Sequence, residues 1–179
     1  MKNILTVLIC IIAFETCFSQ DSLLLISDRR IGDFQIGSSI ENYSYALINK
    51  FRYSGDGYEF FENTYQTTDS CSITVGFNYY IKDTTTISYL ITNCEKYQLS
   101  NGIRAGIKIR DMLPIDSEIV FQYGYGQEIY YIKYFKKSLA KLLIDNVTQD
   151  KYIQETNKEL KSNILLDGYI KSIELLKLN

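Results

Sequence analysis

The chain has 179 residues, 46% of them hydrophobic and 22% charged, with a formal net charge of −2 at pH 7 and no histidine. Histidine is the usual general base near neutral pH and the commonest metal ligand, so Ser-His-Asp and Cys-His catalysis and His-containing zinc sites are excluded. The near-neutral balance supplies no broad basic field, and nucleic acid is not an expected partner.

Residues 1–20 read as a secretory signal: Lys2 gives the positive start, Ile4 to Phe14 the apolar run, and Ser19-Gln20 the polar exit. That run, interrupted by Glu15, is shorter than the roughly 20 residues of a membrane-spanning helix. Cys17 lacks the aliphatic-then-small residues that precede a lipidated cysteine, so a lipid anchor is not expected. The expected mature chain, 21–179, is one exported domain, periplasmic or secreted, with no transmembrane segment and enough length for a single core. Residues 21–101 carry 6 basic and 10 acidic side chains and residues 102–179 carry 12 and 10, which leaves −4 and +2.

Leu23 to Ile26 is an edge strand or a packed arm, and Asp28 to Asp33 a charged turn. Ile36-Gly37-Ser38-Ser39-Ile40 then opens a predicted helix over 39–51. Glycine turns the chain, a serine hydroxyl caps the first turn, and Ile40, Tyr43, Ala46, Leu47 and Phe51 share one helical face. Tyr58 to Tyr65 is a strand, and Ser72 to Ile81 is the clearest strand in the chain. Ile87 to Leu99 is its antiparallel return across Asp83-Thr84-Thr85. Cys71 and Cys94 are the cysteines left after signal removal. Strand parity sets them on opposite faces, unless a bulge near Asn93 turns Cys94 inward, so their pairing as a disulfide stays open.

The opening pattern returns 69 residues later: Phe34 matches Ile103, Gly37 matches Gly106, Ile40 matches Ile109 and Tyr43 matches Met112. Gly37 and Gly106 thus mark an internal repeat, 31–100 and 101–179. In the second repeat a short helix carrying Ile109, Met112 and Leu113 is ended by Pro114, and Gln127 to Phe135 is a strand. Ser138 to Asp145 suits a helix by propensity and a strand by the repeat; the strand is expected. Asp150 to Ser162 reads as a helical insertion, and Gly168 to Leu178 as a strand with apolar residues on both faces. The expected fold class is α+β: two tandem repeats, each a helix followed by about three antiparallel strands, with a helical insertion in the second.

In the two openings, Ile36-Gly37-Ser38-Ser39-Ile40 and Asn101-Gly102-Ile103-Arg104-Ala105-Gly106, the chain resembles exported bacterial domains built from helix-plus-antiparallel-sheet repeats. That group includes the beta-lactamase inhibitor protein and small outer-membrane-assembly lipoproteins. The resemblance implies a sheet or loop that binds another exported or envelope protein.

Candidate chemistry is sparse. Tyr123-Gly124-Tyr125-Gly126 has two glycines of a phosphate loop but no third, and a strand comes next instead of a helix, so it reads as a turn. Asp111, Asp116, Glu118 and Glu128 lie close in sequence without the spacing of a calcium loop and are expected to form a solvated acidic loop. No catalytic residue, cofactor or metal is assigned. Tyrosine is the excess, with sixteen in the chain, and it is enriched at interfaces. Tyr123, Tyr125, Tyr130 and Tyr134, with Tyr80, are the expected binding residues. The expected function is a non-enzymatic binding domain acting through a sheet face or this tyrosine-rich segment. The alternatives are a carboxylate-dependent extracellular enzyme, for example one hydrolysing glycans, and a purely structural envelope protein.

Overall fold

Strand pairing organises most of the described residues. The computed structural model describes residues 24–55, 58–67, 71–77, 83–116, 118–123, 129–145 and 167–178. Three short strands come first, β1 (Leu25–Ser27), β2 (Arg30–Ile31) and β3 (Phe34–Gln35), and then a 3₁₀ turn at Ile40–Asn42. A meander of four strands comes next: β4 (Ala46–Gly55), β5 (Tyr58–Gln66), β6 (Ser72–Phe77) and β7 (Ile87–Thr92). After β8 (Gln98–Leu99) and one helical turn, α1 (Ile109–Met112), a second meander runs through β9 (Val120–Tyr123), β10 (Ile129–Tyr134), β11 (Ser138–Asp145) and β12 (Tyr169–Lys177). The short strands form a four-stranded sheet in the order β3-β2-β1-β8. Antiparallel pairing of β7 with β12 joins the meanders into an eight-stranded sheet, β4-β5-β6-β7-β12-β11-β10-β9.

The fold is therefore mostly β, and this overturns the expected α+β class of helix-plus-strand repeats. The decisive correction is the predicted helix over 39–51. Only Ile40–Asn42 is helical, with Ser39 Oγ accepting from the Glu41 N–H, and Ala46–Gly55 is a ten-residue strand. A short helix in water depends on burying an apolar face, and here Leu47, Ile48, Phe51 and Tyr53 all stay exposed. Pairing with β5 along the whole strand satisfies the backbone instead, and the aromatic and β-branched residues suit it. Other boundaries differ as well: the strand that begins at Ile87 ends at Thr92, and β9 has no counterpart among the predicted strands. Ser138–Asp145 is a strand in which buried and half-buried residues alternate strictly. The signal segment 1–20 and the predicted insertion 150–162 lie outside the described residues.

Gly37 and Gly106 both take left-handed backbone, at φ +90° and +81°, where a Cβ is strained. Their surroundings match bond for bond. Gly37 N–H donates to Ile87 O and Ile87 N–H to Ser38 O; Gly106 N–H donates to Ile170 O and Ile170 N–H to Ile107 O. Ile40 N–H reaches Thr85 O as Ile109 N–H reaches Gly168 O. Each glycine segment is thereby clasped to the start of the last strand of a meander. Each is succeeded in the chain by a single helical turn and a four-stranded meander, rather than by a helix and three strands.

Period two sends alternate residues to opposite faces. On the inner face Val75, Leu90, Leu175 and Ala140 stand opposite one another across β6, β7, β12 and β11, all fully buried. Ile26, Ile31 and Phe34 of the small sheet, with Ile36 just beyond β3, pack in the same core, joined by Ile103, Ile109 and Met112. The Phe34 ring lies 5.6 Å from that of Tyr65. The small sheet thus covers one side of the large one and leaves the other side to the surface.

Candidate functional site

The outer face is built from two rows of directly paired residues. One row runs Phe51, Glu62, Gly76, Tyr89, Leu176, Leu139, Tyr134. The other crosses all eight strands as Asn49, Thr64, Thr74, Ile91, Glu174, Lys141, Ile132, Val120. Exposed apolar side chains stand at three of the row ends: Phe51 is 52% and Tyr134 50% exposed, and Val120 is also exposed. Next to Phe51, Tyr53 and Phe60 are directly opposite each other on the same face, both exposed, with ring centroids 6.3 Å apart.

The middle of the first row is fixed by local chemistry. The Tyr89 ring occupies the space that a Cβ on Gly76 would need, and its hydroxyl donates to Glu62 Oε1 at 2.6 Å. Burial, and then this bond to a carboxylate, push the Tyr89 pKa upward, so the hydroxyl stays protonated. In the second row Lys141 Nζ lies 3.6 Å from Glu174 and 4.7 Å above the Tyr130 ring.

The predicted binding residues separate on this frame. Tyr130 and Tyr134, four apart on β10, share the outer face; Tyr130 is half-buried beneath Lys141 and Tyr134 is exposed. Tyr123 ends β9 opposite Ile129, and Tyr125 and Tyr80 lie outside the described residues. The exposed aromatics of the β4–β5 hairpin, Phe51, Tyr53 and Phe60, are missed at the level of sequence: Phe51 ends a segment that imitates a helix, and the strand that carries Phe60 is read without its partner β4. The pattern Phe51-x-Tyr53 is the signal that places two of them on one strand face.

Beside the second row, at the end of the sheet marked by a disulfide, lies a pocket of about 340 Å³. Its lining is Thr64, Ser72, Thr74, Ile91, Thr92, Asn93, Lys171 and Ser172. Thr64 and Thr74 are linked hydroxyl to hydroxyl at 2.9 Å, and Thr92 Oγ1 donates to Ser72 O at 3.3 Å. Cys71 and Cys94 are bonded, with Cα atoms 5.5 Å apart. Cys71 precedes β6 and Cys94 lies beyond the last residue of β7. Strand parity therefore does not govern where Cys94 points.

Two of the clustered carboxylates, Asp116 and Glu118, meet at Lys133. Its ammonium lies 2.9 Å from Asp116 and 2.6 Å from Glu118, and Asp116 also accepts from Asn101 at 2.8 Å and from the Glu118 N–H at 3.0 Å. Burial alone would raise the Asp116 pKa, but the bond from Lys133 and the two further donors hold it below the usual carboxylate range. The bond to Glu118, against some burial, and that to Asp116 raise the Lys133 pKa. This arrangement keeps Asp116 ionised and is the opposite of a poised proton donor. Asp111 is exposed on α1, and Glu128 lies outside the described residues.

No family model and no curated protein matches the sequence. The fold has a solved counterpart. It is similar to the crystal structure of the uncharacterized protein yfeY from Escherichia coli, with a TM-score of 0.57 and 12% identity over 84% of this chain and 98% of that one. At that identity the likeness concerns the fold alone. Among the described residues no helix is long and apolar enough to cross a membrane, and no cluster of three or more His, Cys, Asp or Glu side chains is placed to hold a metal.

Proposed function

We propose that the chain is an exported binding domain that engages another envelope protein through the outer face of the eight-stranded sheet. The observation that carries this is the β4–β5 hairpin, which holds Phe51, Tyr53 and Phe60 exposed on one face. Half-exposed aromatics grouped at one sheet edge offer large contact area at low entropic cost. Tyr134 supplies a second contact at the far end of the same row. Export is supported by the signal-like residues 1–20 and by the Cys71–Cys94 bond, since disulfides persist in oxidising compartments.

Affinity capture from envelope extracts, using wild type and a Phe51→Ser, Tyr53→Ser, Phe60→Ser variant, tests the reading. The variant is expected to keep its unfolding temperature and to lose the partners that wild type retains. Identical partner lists would sink the proposal. Cell fractionation tests export: full-length chain recovered from the cytoplasm with Cys71 and Cys94 both free would contradict it.

A further inference from the structure

We infer that the pocket beside the disulfide binds an acidic monosaccharide, a sugar ring bearing one carboxylate. Its volume, about 340 Å³, is at the small end of ligand pockets and suits a single ring. Its walls mix hydroxyl and amide groups with the apolar surface of Ile91 and the threonine methyls, carried by four adjacent strands, β5, β6, β7 and β12, and by Asn93 just beyond β7. Among the described residues of the lining, Lys171 is the only charged side chain.

Which groups remain free defines the ligand. Thr64 and Thr74 share one hydrogen bond, so one of the two hydroxyls keeps its hydrogen for an outside acceptor. The Ser72 hydroxyl, the Asn93 amide and the Lys171 ammonium make no hydrogen bond or ion pair among the described residues. The hydroxyls and the amide can each donate and accept, as sugar hydroxyls do, and the ammonium adds a cationic donor. A neutral sugar would leave the exposed ammonium to water, and a simple carboxylate would leave the hydroxyl wall to water; a ring carrying both engages each. Ile91, half-buried among these groups, faces the C–H surface that a sugar ring also presents. The disulfide joins the neighbour of Ser72 to the neighbour of Asn93, which holds that part of the rim in place before a ligand arrives and lowers the ordering cost of binding. None of the exposed aromatics of the protein-binding proposal lines this pocket, so the two readings fail separately.

Titration of the full chain with glucuronate, glucose, acetate and inorganic phosphate, followed by amide and methyl NMR shifts, tests the inference. Glucuronate is expected to shift Ser72, Thr74, Ile91 and Asn93 saturably at millimolar concentration, with glucose about tenfold weaker and no saturable shift from acetate or phosphate. In Lys171→Gln, an exposed change that leaves the unfolding temperature unaltered, glucuronate should fall to the level of glucose. Glucuronate shifts that are absent or lie elsewhere would overturn the site. Equal binding of acetate or phosphate, or an unchanged preference in Lys171→Gln, would overturn its assignment to an acidic sugar.

Discussion

At the scale of single residues, the outer face depends on Gly76 having no side chain. The Tyr89 ring lies where its Cβ would project, and from there the hydroxyl reaches Glu62. Valine is a better strand former than glycine, so propensity alone predicts that Gly76→Val stabilises β6. Steric exclusion predicts the reverse, because the ring must leave and its bond to Glu62 goes with it. The clash dominates. Overpacking of this kind costs about 1–3 kcal/mol, against the ~1 kcal/mol range of strand propensities. Urea unfolding of Gly76→Val should therefore show a lower midpoint at unchanged slope. The same substitution made in a Tyr89→Ala background should cost clearly less, since the ring is already gone. Equal cost in both backgrounds would remove Tyr89 as the cause.

Individual elements show what was legible in the sequence and what was not. β11 was reachable only through the repeat, since its residues suit a helix as well, and β12 through an apolar run on both faces. In the structure buried and half-buried residues alternate strictly along β11, while along β12 Ser172 and Ile173 are both buried. β4 hid itself. Its pairing slips between Leu47 and Asn49, so Leu47 stands on the inner side while Phe51 and Tyr53 stand on the outer. A bulge shifts parity by one, and it left the apolar residues of this segment at spacings that imitate a helix. The disulfide was undecidable for a related reason: parity holds only inside a paired strand, and Cys94 lies past the end of one. The outer rows and the pocket were out of reach because they depend on β7 lying beside β12, a neighbour relation between residues about 80 apart that no local pattern encodes. The Cys71–Cys94 bond ties the β6–β7 pair at the end where that pair meets the pocket, and its sequence separation of 23 corresponds to about 3 kcal/mol of chain entropy. Reduction, or a Cys71→Ser, Cys94→Ser variant, should lower the stability from denaturant unfolding by about that amount. A loss below about 0.5 kcal/mol would mean that the hairpin's own hydrogen bonds already close this loop in the unfolded ensemble.

The whole molecule is two four-stranded meanders sharing one sheet, and the question at this scale is whether they unfold separately. Three connections argue against it. Leu90 of β7 and Leu175 of β12 are direct partners in the core, both fully buried. The turn between β1 and β2 also crosses to the second meander. Asp28 accepts from the Lys137 N–H and from Ser138 Oγ, and the Arg29 N–H donates to the same Ser138 oxygen. Finally, buried residues of the small sheet belong to one core with the inner faces of both meanders. Splitting the halves would expose the Leu90–Leu175 seam and strand the buried Ser138 hydroxyl, so an intermediate with one meander intact gains too little to be populated. Leu175→Ala, a buried truncation of the kind that costs about 2–5 kcal/mol, should then lower protection against hydrogen exchange by the same free energy in β5 and β6 as in β11. Both should fall in a single unfolding transition. If β11 alone lost protection while β5 and β6 kept theirs, the meanders would be independent folding units joined only by their edge strands.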